Sequence, residues 1–162
     1  MPTKEADASR AMVGGNSISD NYAFVGVHHI FDQHTASVTM IKFANNDRSR
    51  LCCASKDGTA SICNVTNVPP SADIILKEHK NEITSCDWSI SNDLIVTCSL
   101  DCTIRLWNSF SGKCLRVVQD QMNAEVLSCI FQPANNNMVI VSFYVDVTAI
   151  FHLEIFFLNK YY

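Results

Sequence analysis

The stretch Ser99-Leu100-Asp101-Cys102-Thr103-Ile104-Arg105-Leu106-Trp107-Asn108 (SLDCTIRLWN) decides the fold class. An acidic turn residue, Asp101, precedes a short run, Thr103 to Leu106, that closes on Trp107. Alternating side chains after a turn residue read as a tight turn feeding a β-strand. Working outward, the apolar run LIVTCS (94–99) leads into the turn, and His79 stands upstream of it.

The same pattern occurs earlier in the chain. His34 is followed at offsets of four, seven and nine by Val38, Ile41 and Phe43, and His79 at the same offsets by Ile83, Cys86 and Trp88. A turn comes next, NNDRSR (45–50) or SISND (89–93), and then an apolar strand, LCCAS (51–55) or LIVTCS. Each strand runs into an Asp turn, Asp57-Gly58-Thr59 or Asp101-Cys102-Thr103, with Cys63 and Trp107 six residues beyond the respective Asp. His34 to His79 is 45 residues and Asp57 to Asp101 is 44. Fourth strands are predicted at DIILKE (73–78), after Val68-Pro69-Pro70, and at KCLRVV (113–118), after Ser111-Gly112. A third copy is marked by Val126, Cys129 and Phe131, with Met122 in the place of the His, FQPANNN as its turn and MVIV opening the next strand. A period of about 40–45 residues with four short strands belongs to sheets repeated around an axis. One such sheet cannot cover its own faces, so neighbouring copies must stack.

On these residues the chain resembles the WD-repeat family of β-propeller proteins. The resemblance implies an all-β fold, a partial propeller of about two and a half blades of four antiparallel strands, preceded by a flexible N-terminal segment. The expected organisation is a lead-in over 1–20, blades over 21–141 (copies at 34–78, 79–121 and a partial third at 122–141), and a divergent apolar tail over 142–162. It also implies a structural tetrad of His, a hydroxyl residue, Asp and Trp, supplied in the second copy by His79, Thr97, Asp101 and Trp107. The first copy keeps His34 and Asp57 but has Cys53 and Cys63 where Thr and Trp are expected, so its network is half formed at best. YAFVGV (22–27) would be the strand that completes a last blade in closed family members. Unpaired edges at both ends of the stack would then favour self-association.

Composition narrows the function classes. With a net charge of -4 and twelve scattered Lys and Arg, the chain has no basic stripe, which argues against direct binding of nucleic acid. The first twenty residues read as neither a signal peptide nor a membrane anchor. The eight cysteines are therefore expected as thiols of a nuclear or cytoplasmic protein, and their spacing fits no zinc motif. His28, His29 and His34 do not make a metal set, because adjacent residues of an extended chain point to opposite faces. Asn64-Val65-Thr66 is a glycosylation sequon by pattern alone. No paired carboxylates, Gly-rich phosphate loop or nucleophile elbow accompanies His79 and Asp101, so no catalytic, cofactor or metal residues are assigned. The expected function is a non-catalytic scaffold that binds proteins or peptides.

The tail after Val141 admits three readings. It is a divergent third blade with Asp146 as its turn, a membrane anchor over 138–158, or sequence foreign to the family. The anchor would bury Asp146 and Glu154, at roughly 2.5–3.5 kcal/mol for each acidic side chain at the bilayer centre. The third reading rests on Val141-Ser142, which a splice-donor sequence encodes in frame; the chain would then be a truncated form.

Overall fold

The computed structural model describes residues 26–119, 123–145 and 150–157. The lead-in over 1–20, most of YAFVGV, Met122, Asp146 and Thr148 lie outside the described residues. Gly26 to His28, the described end of that expected strand, carry no strand.

Among the described residues there are eleven strands in three antiparallel sheets and no helix. Blade 1 is β1 (Val38–Ala44), β2 (Asp47–Ser55), β3 (Thr59–Asn64) and β4 (Ser71–Lys77), in that order across the sheet. Blade 2 repeats it with β5 (Ile83–Trp88), β6 (Leu94–Ser99), β7 (Thr103–Asn108) and β8 (Cys114–Gln119). Blade 3 has three strands, β9 (Glu125–Gln132), β10 (Asn135–Val145) and β11 (Ile150–Phe157). The first turn is shorter than the sequence suggests, because Asp47 already starts β2. Asn45 and Asn46 turn the chain, with Asn46 in the left-handed region that Asn tolerates (φ 55°).

The tail joins blade 3. β10 continues through Tyr144, which stands 22 residues after Met122 as the turn residue Asp101 does after His79, and Tyr144 pairs with Glu125 on one side and Phe151 on the other. β11 lies along β10 from Met138 opposite Phe157 to Val145 opposite Ile150. Apolar residues without Gly or Pro extend the hairpin past the repeat's usual turn. No helix among the described residues is long and apolar enough to cross a membrane.

The core lies between blades. Blade 1 presents small side chains, Ala44, Cys52, Ala54 and Ala60 with Ile62 and Leu76, and blade 2 fills the space with Trp88, Trp107, Ile83 and Ile95. The second core sets Val96, Cys98 and Ile104 of blade 2 against Val126, Cys129, Phe131, Val139, Val141 and Phe143 of blade 3. Large residues received by small ones let two twisted sheets approach at native density. Gly112 shows how closely: at φ 69°, a Cβ there would lie 2.6 Å from Ile74 Cγ2 of blade 1.

Candidate functional site

Strand register assembles the polar network of blade 2. Thr97 on β6 lies opposite Arg105 on β7, and Trp107 opposite Ile95. The Asp101 turn folds back on His79, which precedes β5. His79 Nδ1 lies 2.9 Å from Asp101 Oδ2, His79 Nε2 2.8 Å from Thr97 Oγ1, and the Trp107 indole N–H donates to Thr97 Oγ1 at 2.8 Å. The indole can only donate, so Thr97 accepts from it and gives its own proton to Nε2. His79 is then neutral and donates through Nδ1. Burial lowers the His79 pKa below its ordinary 6.5, against the opposing pull of Asp101. Burial raises the Asp101 pKa, but hydrogen bonds from the Thr103 hydroxyl, the Lys80 N–H and His79 outweigh it and hold the carboxyl at about 2.

This arrangement leaves no free hydroxyl for nucleophilic attack. Thr97 is fully enclosed, with its oxygen between an indole and an imidazole. The chain from Asp to His to hydroxyl to indole ties the loop before β5 to the β6–β7 turn and to both of its strands.

Blade 1 solves the same problem with other residues. His34 Nδ1 faces Asp57 Oδ2 at 3.2 Å and Thr59 Oγ1 at 3.0 Å, while His34 Nε2 meets Ser61 Oγ at 2.9 Å. The hydroxyl comes from β3, because Ser61 lies directly opposite Cys53, which stands in the Thr column. Gln33 Nε2 donates to Ser61 Oγ at 2.9 Å and to Cys63 Sγ at 3.4 Å. Where sequence reading leaves the network half formed, the structure closes it through Ser61 and Gln33. The corresponding columns of blade 2 hold Arg105 and Glu78, an ion pair. Burial pushes the Asp57 pKa up, but bonds from Thr59, the Thr35 N–H and His34 hold it at about 2.

Blades are tied to each other by bonds that sequence reading missed. Thr39 Oγ1 donates to Ile83 O at 2.6 Å, and Thr84 Oγ1 to Val126 O at 2.7 Å. Lys42 Nζ lies 2.7 Å from the buried Asp87 carboxylate, which also accepts from the Phe131 N–H at 2.8 Å. The Trp88 indole donates to Lys42 O at 2.9 Å. Arg50 lies over the Trp88 and Phe110 rings and donates to Ser109 O. All eight cysteines are free thiols, six of them buried. No group of metal-ligating residues is found among the described residues. The sequon residue Asn64 has its Oδ1 engaged by the N–H groups of Thr66 and Asn67 in a turn that Asn108 repeats with Phe110 and Ser111.

Four-stranded sheets stacked face to face, each pinned by an Asp–His–hydroxyl network, define a β-propeller protein. The repeats belong to the WD domain, G-beta repeat family, whose model matches residues 26–64 and 72–108. The chain is similar to THO complex subunit 3 of Arabidopsis thaliana, at 28% identity over 99 residues, covering 59% of this chain and 31% of that protein. It is also similar to eukaryotic translation initiation factor 3 subunit I of Debaryomyces hansenii, at 31% identity over 109 residues, covering 67% of this chain and 30% of that protein. Among solved structures, the Cps50 (Swd1) beta-propeller domain of Myceliophteria thermophila superposes with a TM-score of 0.61 at 22% identity, over 75% of this chain and 40% of that one. The chain thus spans about a third of the length of these relatives.

Proposed function

We propose that the chain is a non-catalytic scaffold that holds partner proteins or peptides on the loops between its strands. The observation that carries this reading is the internal use of the His networks: their hydroxyls and carboxylates are engaged within and between strands, and exposed apolar side chains sit on loops instead. Val68, Ile90 and Phe110, from the β3–β4, β5–β6 and β7–β8 loops, share one end of the stack and are all exposed. His79, Thr97, Asp101 and Trp107, with His34 and Asp57, act as structural residues in this reading.

Relatives named as subunits of the THO complex and of initiation factor 3, and polyadenylation factor subunit 2 of Neurospora crassa, support a role in RNA-related assemblies of the nucleus or cytoplasm. Contact with RNA would run through partner proteins. The stretches YAFVGVHHIFDQH, FANNDR, WSISND and FQPANNN narrow the likeness to WD repeat-containing protein thirteen over about residues 22–141. None of the relatives named above is that protein, so this narrower reading rests on those stretches.

The test is affinity capture with the full chain and with a Val68→Asp/Ile90→Asp variant that keeps its melting temperature. The expected result is a defined set of proteins lost with the variant. Turnover of a small-molecule substrate by the purified chain, with no protein captured, would overturn the reading.

A second reading, a truncated form without independent activity, is favoured by one observation. Val38, Ile41 and Phe43 are exposed on blade 1, whereas the equivalent Ile83, Cys86 and Trp88 of blade 2 are buried. Self-association through this uncovered face belongs to the same reading. A monodisperse monomer with one cooperative melting transition would remove it.

A further inference from the structure

The columns that hold Thr97 and Trp107 in blade 2 hold Cys53 and Cys63 in blade 1. Cys53 lies opposite Ser61, and Cys63 opposite Leu51, so the thiols are diagonal neighbours on one face of the β2–β3 pair. Cys63 Sγ lies at the end of a hydrogen-bonded chain. It accepts from Gln33 Nε2 at 3.4 Å and lies 3.6 Å from Ser61 Oγ; Ser61 reaches His34 Nε2 at 2.9 Å, and His34 Nδ1 faces Asp57. In blade 2 the matching chain ends on an indole N–H, which keeps its proton. In blade 1 it ends on a sulfur, which can release one. Cys53 also lines a groove of about 370 Å³ together with Phe31, His34, Val38 and Ile41. Cys53, 6% exposed, is the member of the pair that lines the groove; Cys63 is fully buried one diagonal step away, so peroxide has to pass Cys53 to reach it.

We propose that Cys53 and Cys63 are a peroxide-oxidised thiol pair, in which Cys63 attacks and Cys53 closes a disulfide. The Cys63 proton passes to Ser61 Oγ as Ser61 hands its own to His34 Nε2, and Asp57 faces the imidazolium so formed. The Cys63 thiolate attacks one oxygen of hydrogen peroxide. The O–O bond breaks, the sulfur becomes a sulfenic acid, and the departing hydroxide takes the proton from His34 and leaves as water. Cys53 then attacks the sulfenic sulfur through its own thiolate. The S–S bond forms, the S–O bond breaks, and that hydroxide leaves as water with the Cys53 proton. Two thiols and one peroxide give one disulfide and two waters, the two sulfurs losing two electrons between them.

Ionisation runs the same way. The neighbouring Cys53 thiol, with Ser61 and Gln33, holds Cys63 at about 7 against burial. The Cys63 sulfur beside it and burial raise Cys53. In the cores between blades, the bond to Cys86 and burial push Cys52 far up, and burial does the same to Cys129. A thiolate-rich sulfur reacts first.

The experiment treats the folded full chain with stoichiometric hydrogen peroxide at neutral pH, alkylates the remaining thiols and maps the peptides. A Cys53–Cys63 cross-link is expected, with Cys52 and Cys129 reduced. Cys53→Ser should stop the reaction at a sulfenic acid on Cys63 that dimedone traps, and Cys63→Ser should abolish the cross-link. The rate should be unchanged by urea below the unfolding transition. Either of two results overturns the proposal: no cross-link in the folded chain, or a rate that rises with urea in step with alkylation of Cys52, which would mean that the thiols react only on unfolding.

Discussion

Hydrogen-bond direction around His79 has consequences that single substitutions read out. Asp101 accepts from His79, from Thr103 twice and from the Lys80 N–H, so its removal leaves several donors of an enclosed turn without a partner. Asp101→Ala should cost about 1–3 kcal/mol or more, because losing one partner leaves the others desolvated. Trp107→Phe removes the indole donor to Thr97 and leaves a smaller ring in a fully buried site, so the lost bond, about 1 kcal/mol, and the cavity add. Urea denaturation of both variants checks the losses, and equal midpoints for Asp101→Ala and the parent would count against the network. The pH dependence has a definite sign. His79 titrates lower when folded than when unfolded, so the unfolded chain binds more protons and stability falls as pH drops below 6.5. Asp101, held at about 2, adds a second loss as pH falls from 3.8 toward that value. Melting temperature should therefore decline between pH 7 and pH 5, and His79→Gln should flatten that part of the profile. The four residues of this network were legible in the sequence, because a tight turn and two paired strands fix their spacing. Ser61 and Gln33 were not, since their role arises only where Cys63 replaces an indole and a smaller side chain lets a neighbouring strand supply the hydroxyl.

Strand β5 carries an irregularity that explains how blades lock together. Register shifts between Ile83 and Ser85, and likewise between Val38 and Met40 on β1, leave Thr84 and Thr39 as the extra residues of β-bulges. A bulge re-aims its side chain. Each Thr hydroxyl turns onto a carbonyl of the next blade, Val126 O for Thr84 and Ile83 O for Thr39. Blade 3 repeats the irregularity, and the skipped residue on β9 is Leu127, which has no hydroxyl to offer. The signal was present in the sequence. In each copy the first two apolar positions of the repeat pattern are three apart (Val38 and Ile41, Ile83 and Cys86, Val126 and Cys129), whereas an unbroken strand would space residues of one face by two. The tail was legible as strand-forming by its β-branched and aromatic content, but its register was not. The Asp turn that sets hairpin length in the first two blades has no counterpart at Tyr144, and pairing with β9 and β10 decides the outcome instead. Thr84→Val is nearly isosteric and removes the interblade donor, so it should cost about 1 kcal/mol and up to 3 if Val126 O finds no other partner. Thr84→Ser, which keeps the hydroxyl, should recover most of the loss in the same denaturation measurement.

Blade 2 is the only described blade covered on both faces, and the stability of the whole stack is distributed accordingly. Asp87 lies at the centre of this arrangement, receiving Lys42 from blade 1 and the Phe131 N–H from blade 3, so one carboxylate joins all three sheets. The two apolar cores also meet across blade 2, Trp88 and Trp107 on one side and Val96 and Cys98 on the other. Blade 1 has only one covered face. Phe43 is 53% exposed, while Trp88, its equivalent one repeat later, is 1% exposed because blade 1 lies over it. The same position in the same motif therefore has two energetic values, set only by whether a neighbouring sheet is present. Trp88→Ala should cost about 3–5 kcal/mol through lost burial and the cavity left behind. Phe43→Ala should stay within about 0.5 kcal/mol, as substitutions at exposed positions usually do. Paired urea titrations at low protein concentration measure both. If the Phe43 variant lost as much as the Trp88 variant, its face would be buried in solution, and a loss that grew with protein concentration in the parent would identify a second copy as the cover. If the loss stayed small at every concentration, the uncovered face would be a property of the isolated chain, and its apolar side chains would be free to meet a further sheet.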